Sequence, residues 1–301
     1  MMDYKKRTLR IQSILYNNSE TSIQASLNSI GRAAELLKKA NLIDFVEVIY
    51  GDCSQAKIFE NDNLEYLINN SSSGIDKVIC IFFNENLGTA KGHNLLMQNA
   101  CTEYLVILNP DIIVAPNTLI ELMRGFSSSL IGIVEARQLP IEHPKDYDSL
   151  TGETSWASTA CILTKTEIAH QINGFDHESF FLYCDDVDFS WRVKLAGFKV
   201  IFKTSAIIFH DKRLEDDGSL SPTNAERYYS AEAALMLAHK YSRHDLVEKI
   251  SNDFRNCGDN HCMQALKEYE ARLASGRLVP SIDTNHKIAQ FINGYYAHHR
   301  F

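Results

Sequence analysis

No apolar run in the 301 residues approaches the ~18 that a membrane-spanning helix requires. The opening residues, Met1-Met2-Asp3-Tyr4-Lys5-Lys6-Arg7, lack the apolar core expected of a signal peptide. Basic charge is in deficit. Thirty Lys and Arg stand against 38 Asp and Glu, giving a formal net charge of −8 and a pI near 5.8. That balance argues against a nucleic-acid binder while leaving room for a local basic groove. Cysteine is sparse and odd in number, seven in all, with Cys80, Cys101 and Cys161 inside apolar runs. Such scatter suits reduced thiols of a cytosol better than a disulfide framework. A glycine-rich turn after the first predicted strand is also missing, so neither the dinucleotide fingerprint nor the P-loop stands there. No internal repeat and no low-complexity segment is found.

What is present is an ordinary globular composition, 45% hydrophobic and 23% charged. The length fits one large α/β domain, or a domain of about 200 residues with an appendage. The stretch from Tyr104 to Asp111 organises the rest. Leu105-Val106-Ile107-Leu108 is apolar without alternation or helical period, as expected of a parallel strand covered on both faces. Pro110 cannot continue such a strand, so it ends there. Asp111 falls just past the carboxyl end, where open α/β sheets bind ligands. It reads either as a turn residue or as an oxygen ligand holding a divalent cation against a diphosphate.

Taken in order, Arg10 to Leu15 predicts a first strand and Thr21 caps a helix to about Ala40, with Ile23, Leu27, Ile30 and Leu37 on one stripe. Strands follow at Phe45 to Tyr50 and Lys77 to Phe83, then a helix over Thr89 to Ala100 and another from Pro116 to about Phe126. Alternation at this spacing predicts a parallel, doubly wound sheet. Pro140 to Ser155 reads as a loop, Ala160 to Leu163 as a strand and Lys165 to Gln171 as a short helix. A helix from Asp185 to Ala196 precedes final strands at Lys199 to Phe202 and Ala206 to Phe209, the latter ending at His210.

Asp185, Asp186 and Asp188 crowd three carboxylates into one helix start. Favourable interaction with the helix dipole explains one or two of them. The flanking Phe180, Phe181 and Tyr183 would wall a pocket and raise a carboxylate pKa toward that of a useful base. His210 is a capping histidine or, together with Asp111, a neutral imidazole ligand.

The order of these motifs resembles the inverting nucleotide-sugar glycosyltransferases of family 2, which have the GT-A fold. The likeness rests on Leu15-Tyr16-Asn17, Asn86-Leu87-Gly88, Leu108-Asn109-Pro110-Asp111, Gly174-Phe175-Asp176, Phe180 to Arg192, and His210, across about residues 9 to 211. The Asn-Pro-Asp form is similar to the bacterial rhamnosyltransferase branch, which uses dTDP-L-rhamnose to build surface polysaccharides. The resemblance implies a Rossmann-like, doubly wound, mostly parallel sheet over residues 1-221, followed by a helical extension over 222-301. It assigns Asp111 and His210 to a divalent metal, Mg²⁺ or Mn²⁺, and Asp186 to deprotonation of the acceptor hydroxyl, with Asp185 beside it. Tyr16, Asn17 and Asp52 would bind the nucleoside, with Asn86 and Asn109 lining the donor site. One departure stands out: Gly51-Asp52-Cys53-Ser54 replaces the usual Asp-Asn-Gly-Ser, shifting the acid by one position.

The implied partners are a dTDP- or UDP-sugar donor and a glycan or lipid-linked glycan acceptor. The implied location is the cytoplasm, with the inner face of the membrane open to it. Lys91 reads as a phosphate contact or a solvated helix lysine, and Trp156 as an acceptor-stacking ring or ordinary packing. UDP-galactofuranose and UDP-N-acetylhexosamine transferases share these motifs, and a non-catalytic sugar-nucleotide binder is the alternative of another class. Cys257 to Cys262 does not match a structural zinc site. From about Asn224, four amphipathic helices are predicted, carrying Tyr228, Leu235 and Tyr241; Leu246, Ile250 and Phe254; Met263, Leu266, Tyr269 and Leu273; and Ile288, Phe291, Ile292 and Tyr295. Their apolar surface predicts a homodimer.

Overall fold

The computed structural model describes residues 7–60, 67, 74–142, 145–210 and 222–296. Its parallel half is built from β1 (Thr8–Leu15), β2 (Phe45–Asp52), β3 (Lys77–Phe82) and β4 (Tyr104–Leu108), ordered β3-β2-β1-β4. Leu105, Val106, Ile107 and Leu108 are each 1% exposed or less. The unbroken apolar run is therefore covered on both faces, as its lack of alternation requires.

Beyond β4 the sheet becomes mixed. It continues through β7 (Cys161–Lys165), β6 (Ile131–Leu139) and β8 (Lys199–His210) to β5 (Ile112–Val114). β7 runs antiparallel to both β4 and β6, so β6 and its parallel neighbour β8 point the same way as β4. The carboxyl ends of β1, β2, β4, β6 and β8 consequently share one edge. Two elements went unpredicted, β5 and β6. The two short strands expected after Lys199 are one, because pairing with β6 slips from Lys203 opposite Ala136 to Ile207 opposite Arg137. Exposed Thr204 and Ser205 occupy the slip and interrupt the apolar pattern without ending the strand.

Helices cover both faces. On one, α1 (Glu20–Lys39) and α3 (Thr118–Gly125) share a core with the sheet; on the other, α2 (Gly88–Met97), α4 (Thr166–Gln171) and α5 (Asp185–Leu195) do. The stripe Ile23, Leu27, Ile30, Leu37 is buried as its spacing predicts. The cap of α1 is Ser19, two residues earlier than expected, its hydroxyl accepting the Ser22 N–H at 3.2 Å.

Among the described residues three helices form the extension: α6 (Asn224–Lys240), opened by a Thr223/Glu226 capping box, α7 (His244–Asn256) and α8 (Asn260–Ala274). The predicted fourth helix is absent, and residues 275–296 run irregularly. Two local causes are visible. Asp283 accepts the N–H groups of Lys287, Ile288 and Ala289 at 2.9–3.0 Å, fixing a turn. Asn293 and Gly294 both have positive φ, 55° and 91°, and close a tight hairpin between Ile292 and Tyr295. Ile288 and Phe291 still reach a third core, where Trp156 and Trp191 meet Leu235, Tyr241 and Tyr269. That core joins the extension to α5.

Candidate active site

Backbone register brings Asp111 and His210 together. Ile112, the first residue of β5, pairs directly with His210, the last of β8. The imidazole Nε2 lies 3.5 Å from Asp111 Oδ1. Its other nitrogen, Nδ1, is 3.1 Å from Oε1 of Gln138 on β6. A carboxylate oxygen suits Mg²⁺ or Mn²⁺, and an imidazole nitrogen beside it favours the transition ion of the two, Mn²⁺. Adjacent ligands ~2.1 Å from such an ion stand roughly 3 Å apart, so the pair fits with little adjustment. No group of three or more His, Cys, Asp or Glu able to hold a metal occurs among the described residues. Two protein ligands leave most of the coordination sphere to water and phosphate oxygens, the usual arrangement at a diphosphate.

The acidic helix start is set by strain. Tyr183 and Cys184 both adopt left-handed backbone, φ 69° and 55°, immediately before α5. Each such non-glycine residue costs of order 1–3 kcal/mol and persists where the surroundings impose it. The three acids then part company. Asp185 is buried and accepts the Thr89 hydroxyl of α2 at 2.9 Å. Burial, followed by the neighbouring Asp186 charge, pushes its carboxyl up to about 7. Asp186 is only half-buried, its Oδ1 accepting the Val187 N–H at 2.8 Å. Asp188 is fully enclosed and structural: Arg192 Nε binds it at 2.7 Å, Lys240 Nζ at 2.6 Å and the Tyr241 hydroxyl at 3.1 Å.

The aromatic wall is likewise divided. Phe180 is 1% exposed, inside the third core. Phe181 stacks on Tyr229 of α6 at 4.7 Å and covers Gly88, where an added Cβ would fall 2.5 Å from the Phe181 carbonyl. With φ at 70°, that glycine serves both the turn and the close approach.

At the other end of the edge, Tyr16 is 48% exposed, and Asn17, in left-handed conformation, donates its N–H to Ser54 Oγ at 2.9 Å. Asp52 is enclosed, its carboxylate accepting the N–H groups of Ser54 at 3.0 Å and Ile58 at 2.9 Å. It folds the loop after β2. Asn86 is exposed and accepts the Gly88 N–H at 3.3 Å; Asn109, half-buried, donates its own N–H to the Ala160 carbonyl at 3.0 Å. Lys91 is half-buried on α2 and makes no ion pair among the described residues. Trp156 is packed: it is 3% exposed, with Lys145 Nζ 4.0 Å from the ring centroid and the Tyr296 ring at 5.7 Å. No face is left for a sugar.

Sequence reasoning missed Thr89, Gln138 and Glu135. Buried Glu135 pairs with Lys145 at 2.6 Å, and its carboxyl is raised to about 7 by burial despite that partner. Glu135 and Gln138 lie in an unpredicted strand and carried no signal, and Thr89 read only as the start of α2. A cavity of about 340 Å³ opens between α6, α7 and the C-terminal segment, but none of the acids above lines it.

No protein-family model matches the chain. Over 57 residues it is 37% identical to the N-acetylglucosaminyl-diphospho-decaprenol L-rhamnosyltransferase of Mycobacterium tuberculosis, in strains CDC 1551 / Oshkosh and ATCC 25618 / H37Rv. That stretch is 19% of this chain and only 18% of the relative. Among solved structures, it is similar to the mannosyltransferase PcManGT from Pyrobaculum calidifontis in complex with GDP-Man and Mn²⁺. There the TM-score is 0.58 at 15% identity, covering 94% of this chain and 79% of that one. GalNAc-T7 with UDP, GalNAc and Mn²⁺ gives a TM-score of 0.61 at 14% identity, over 93% and 60%. S. aureus TarS gives 0.51 at 15%, over 82% and 43%. With the mixed eight-stranded sheet and its helices on both faces, this likeness identifies the chain as a protein of the GT-A glycosyltransferase fold.

Proposed function

We propose that the chain is a metal-dependent inverting glycosyltransferase that moves a sugar from a nucleoside diphosphate onto a glycan or lipid-linked acceptor. The observation that carries it is the convergence of Asp111 with His210 at the same sheet edge that receives Tyr16 and Asn109. Asp111 and His210 would hold the divalent cation, which offsets charge on the departing diphosphate. Asp186, the more accessible of the paired acids, accepts the acceptor hydroxyl proton as that oxygen attacks the anomeric carbon. The bond from that carbon to the diphosphate oxygen breaks on the opposite face, so configuration inverts. Asp185, held protonated up to about neutral pH, limits the pair to one negative charge.

The donor favoured is dTDP-L-rhamnose, supported by the Asn109-Pro110-Asp111 motif and by the short match to a rhamnosyltransferase. A UDP-sugar is the second reading, supported by the fold shared with a UDP-bound structure. The proposal also takes residues 1-221 as the transferase domain and 222-301 as its extension, working at the inner side of a membrane without crossing it. Among the described residues no helix is long and apolar enough to cross one. A homodimer through the exposed Leu273, Ile292 and Tyr295 belongs to the same proposal.

The test is a thermal-shift screen of nucleotide sugars with and without Mn²⁺. A ligand at 100 times its Kd raises stability by about 2.7 kcal/mol. The expected result is a shift with dTDP-L-rhamnose that needs Mn²⁺ and vanishes with EDTA, followed by turnover on an acceptor panel. A metal-independent shift would remove Asp111 and His210 from their role. Binding without any turnover would leave a sugar-nucleotide binder.

A further inference from the structure

Gln138 sits on β6 opposite Ile208, one strand inside the edge that carries His210. It is 1% exposed, and its side-chain oxygen meets His210 Nδ1 at 3.1 Å. Its amide nitrogen is buried and has no hydrogen-bond partner among the described residues. Its backbone N–H is separately engaged by Glu142 Oε2 at 2.7 Å. In this orientation the amide oxygen accepts from an Nδ1–H, and a neutral ring of that tautomer turns its Nε2 lone pair toward Asp111, 3.5 Å away. The reverse orientation, with the amide nitrogen donating to Nδ1, would put the hydrogen on Nε2 and turn a donor toward the metal position.

We infer that Gln138 is a positioning residue that fixes the tautomer and ring orientation of His210, so that Nε2 is ready to coordinate a divalent cation beside Asp111. The inference rests on the metal reading proposed above. A buried amide nitrogen without a partner calls for an explanation, and here the other end of the same side chain meets the ring of His210. Outer partners of this kind orient a ligating histidine and typically change metal affinity by 10–100-fold when lost. Gln138 touches neither donor nor acceptor in this account. Its effect passes wholly through His210.

Two measurements test it. Nitrogen-15 NMR of the His210 ring in the full-length, metal-free protein should show the Nδ1–H tautomer. An Nε2–H tautomer in the unmodified protein would overturn the inference without any variant. Mn²⁺ affinity in the presence of dTDP, read by calorimetry, should fall roughly 10–100-fold in Gln138→Leu. Gln138→Glu, whose carboxylate also accepts from Nδ1–H, should hold it near the original. Asp111→Ala separates the two levels of the argument. If Mn²⁺ binds Asp111→Ala as well as the unmodified protein, the metal reading fails. If Asp111→Ala loses Mn²⁺ while a folded Gln138→Leu keeps it, only the inference about Gln138 fails.

Discussion

Three aspartates within four positions of one helix have three different fates. Asp188 neutralises Arg192 and Lys240 in the interior, Asp185 is buried against Thr89, and Asp186 alone stays half-open. Replacing Asp186 with Asn keeps shape and removes the proposed proton acceptor. Turnover should fall by roughly 10²–10⁴ while donor binding persists, as single-turnover kinetics and calorimetry would read. Near-normal turnover would move the base elsewhere. Asp185 predicts a pH effect on stability instead. Its carboxyl titrates at about 7 in the folded chain, raised from 3.8 by burial and then by Asp186. The unfolded chain therefore loses this proton first as pH rises, and folding becomes less favourable between about pH 4 and 7. Denaturant unfolding of Asp185→Asn should lack that decline, so the variant gains on the original protein by a few kcal/mol across the window and no more above it. Parallel stability curves would refute the burial argument.

At the scale of elements, α6 is the piece that holds the acidic helix in place. Lys240, its last residue, bridges Asp176 at 2.6 Å and Asp188 at 2.6 Å, and Tyr241 beyond it packs on Trp191 at 4.7 Å. Removing one member of a buried charge cluster leaves the others uncompensated, which costs about 3–5 kcal/mol. Arg192 still faces Asp188, so Lys240→Met should cost about 3 kcal/mol, visible as a lower Tm. An unchanged Tm would mean that the cluster contributes no net stability. Element legibility was uneven for physical reasons. The strand before Asp111 and the stripe of α1 are long apolar patterns with one reading. β6 carries Glu135, Arg137 and Gln138 within nine residues, and its burial of Glu135 and Gln138 depends on partners far away in sequence.

For the whole molecule, the extension shares a buried core with the sheet domain. Trp156, Trp191 and Phe180 share one buried cluster with Leu235, Leu237 and Tyr241. Most of the apolar stripes that first suggested a dimer are thereby covered within one chain. Among the described residues of the extension, the exposed large apolar side chains are Leu273 at 56%, Ile292 at 42% and Tyr295 at 40%. Light scattering at micromolar concentration should give twice the chain mass if these three form an interface. A single-chain mass would restrict the extension to bracing α5.

The sequence by itself determined the alternating strands and helices of the parallel half and the position of Asp111 past β4. It could do so because those features are local: apolar runs, a proline stop, helix-start acids. It also supplied His210, whose place at a strand end is read from the residues before it. The tertiary structure alone decided which acid is open, because Asp185 and Asp188 are enclosed by Thr89 and Lys240 arriving from elsewhere in the fold, with Arg192 one turn along the same helix. It alone placed Gln138 behind His210 and buried Trp156. It also turned residues 288–295 from a helical spacing into a capped, irregular segment, since Asp283 and the Asn293-Gly294 turn outweighed periodicity. Local pattern sets which backbone forms. Long-range burial sets which side chains remain free to do chemistry.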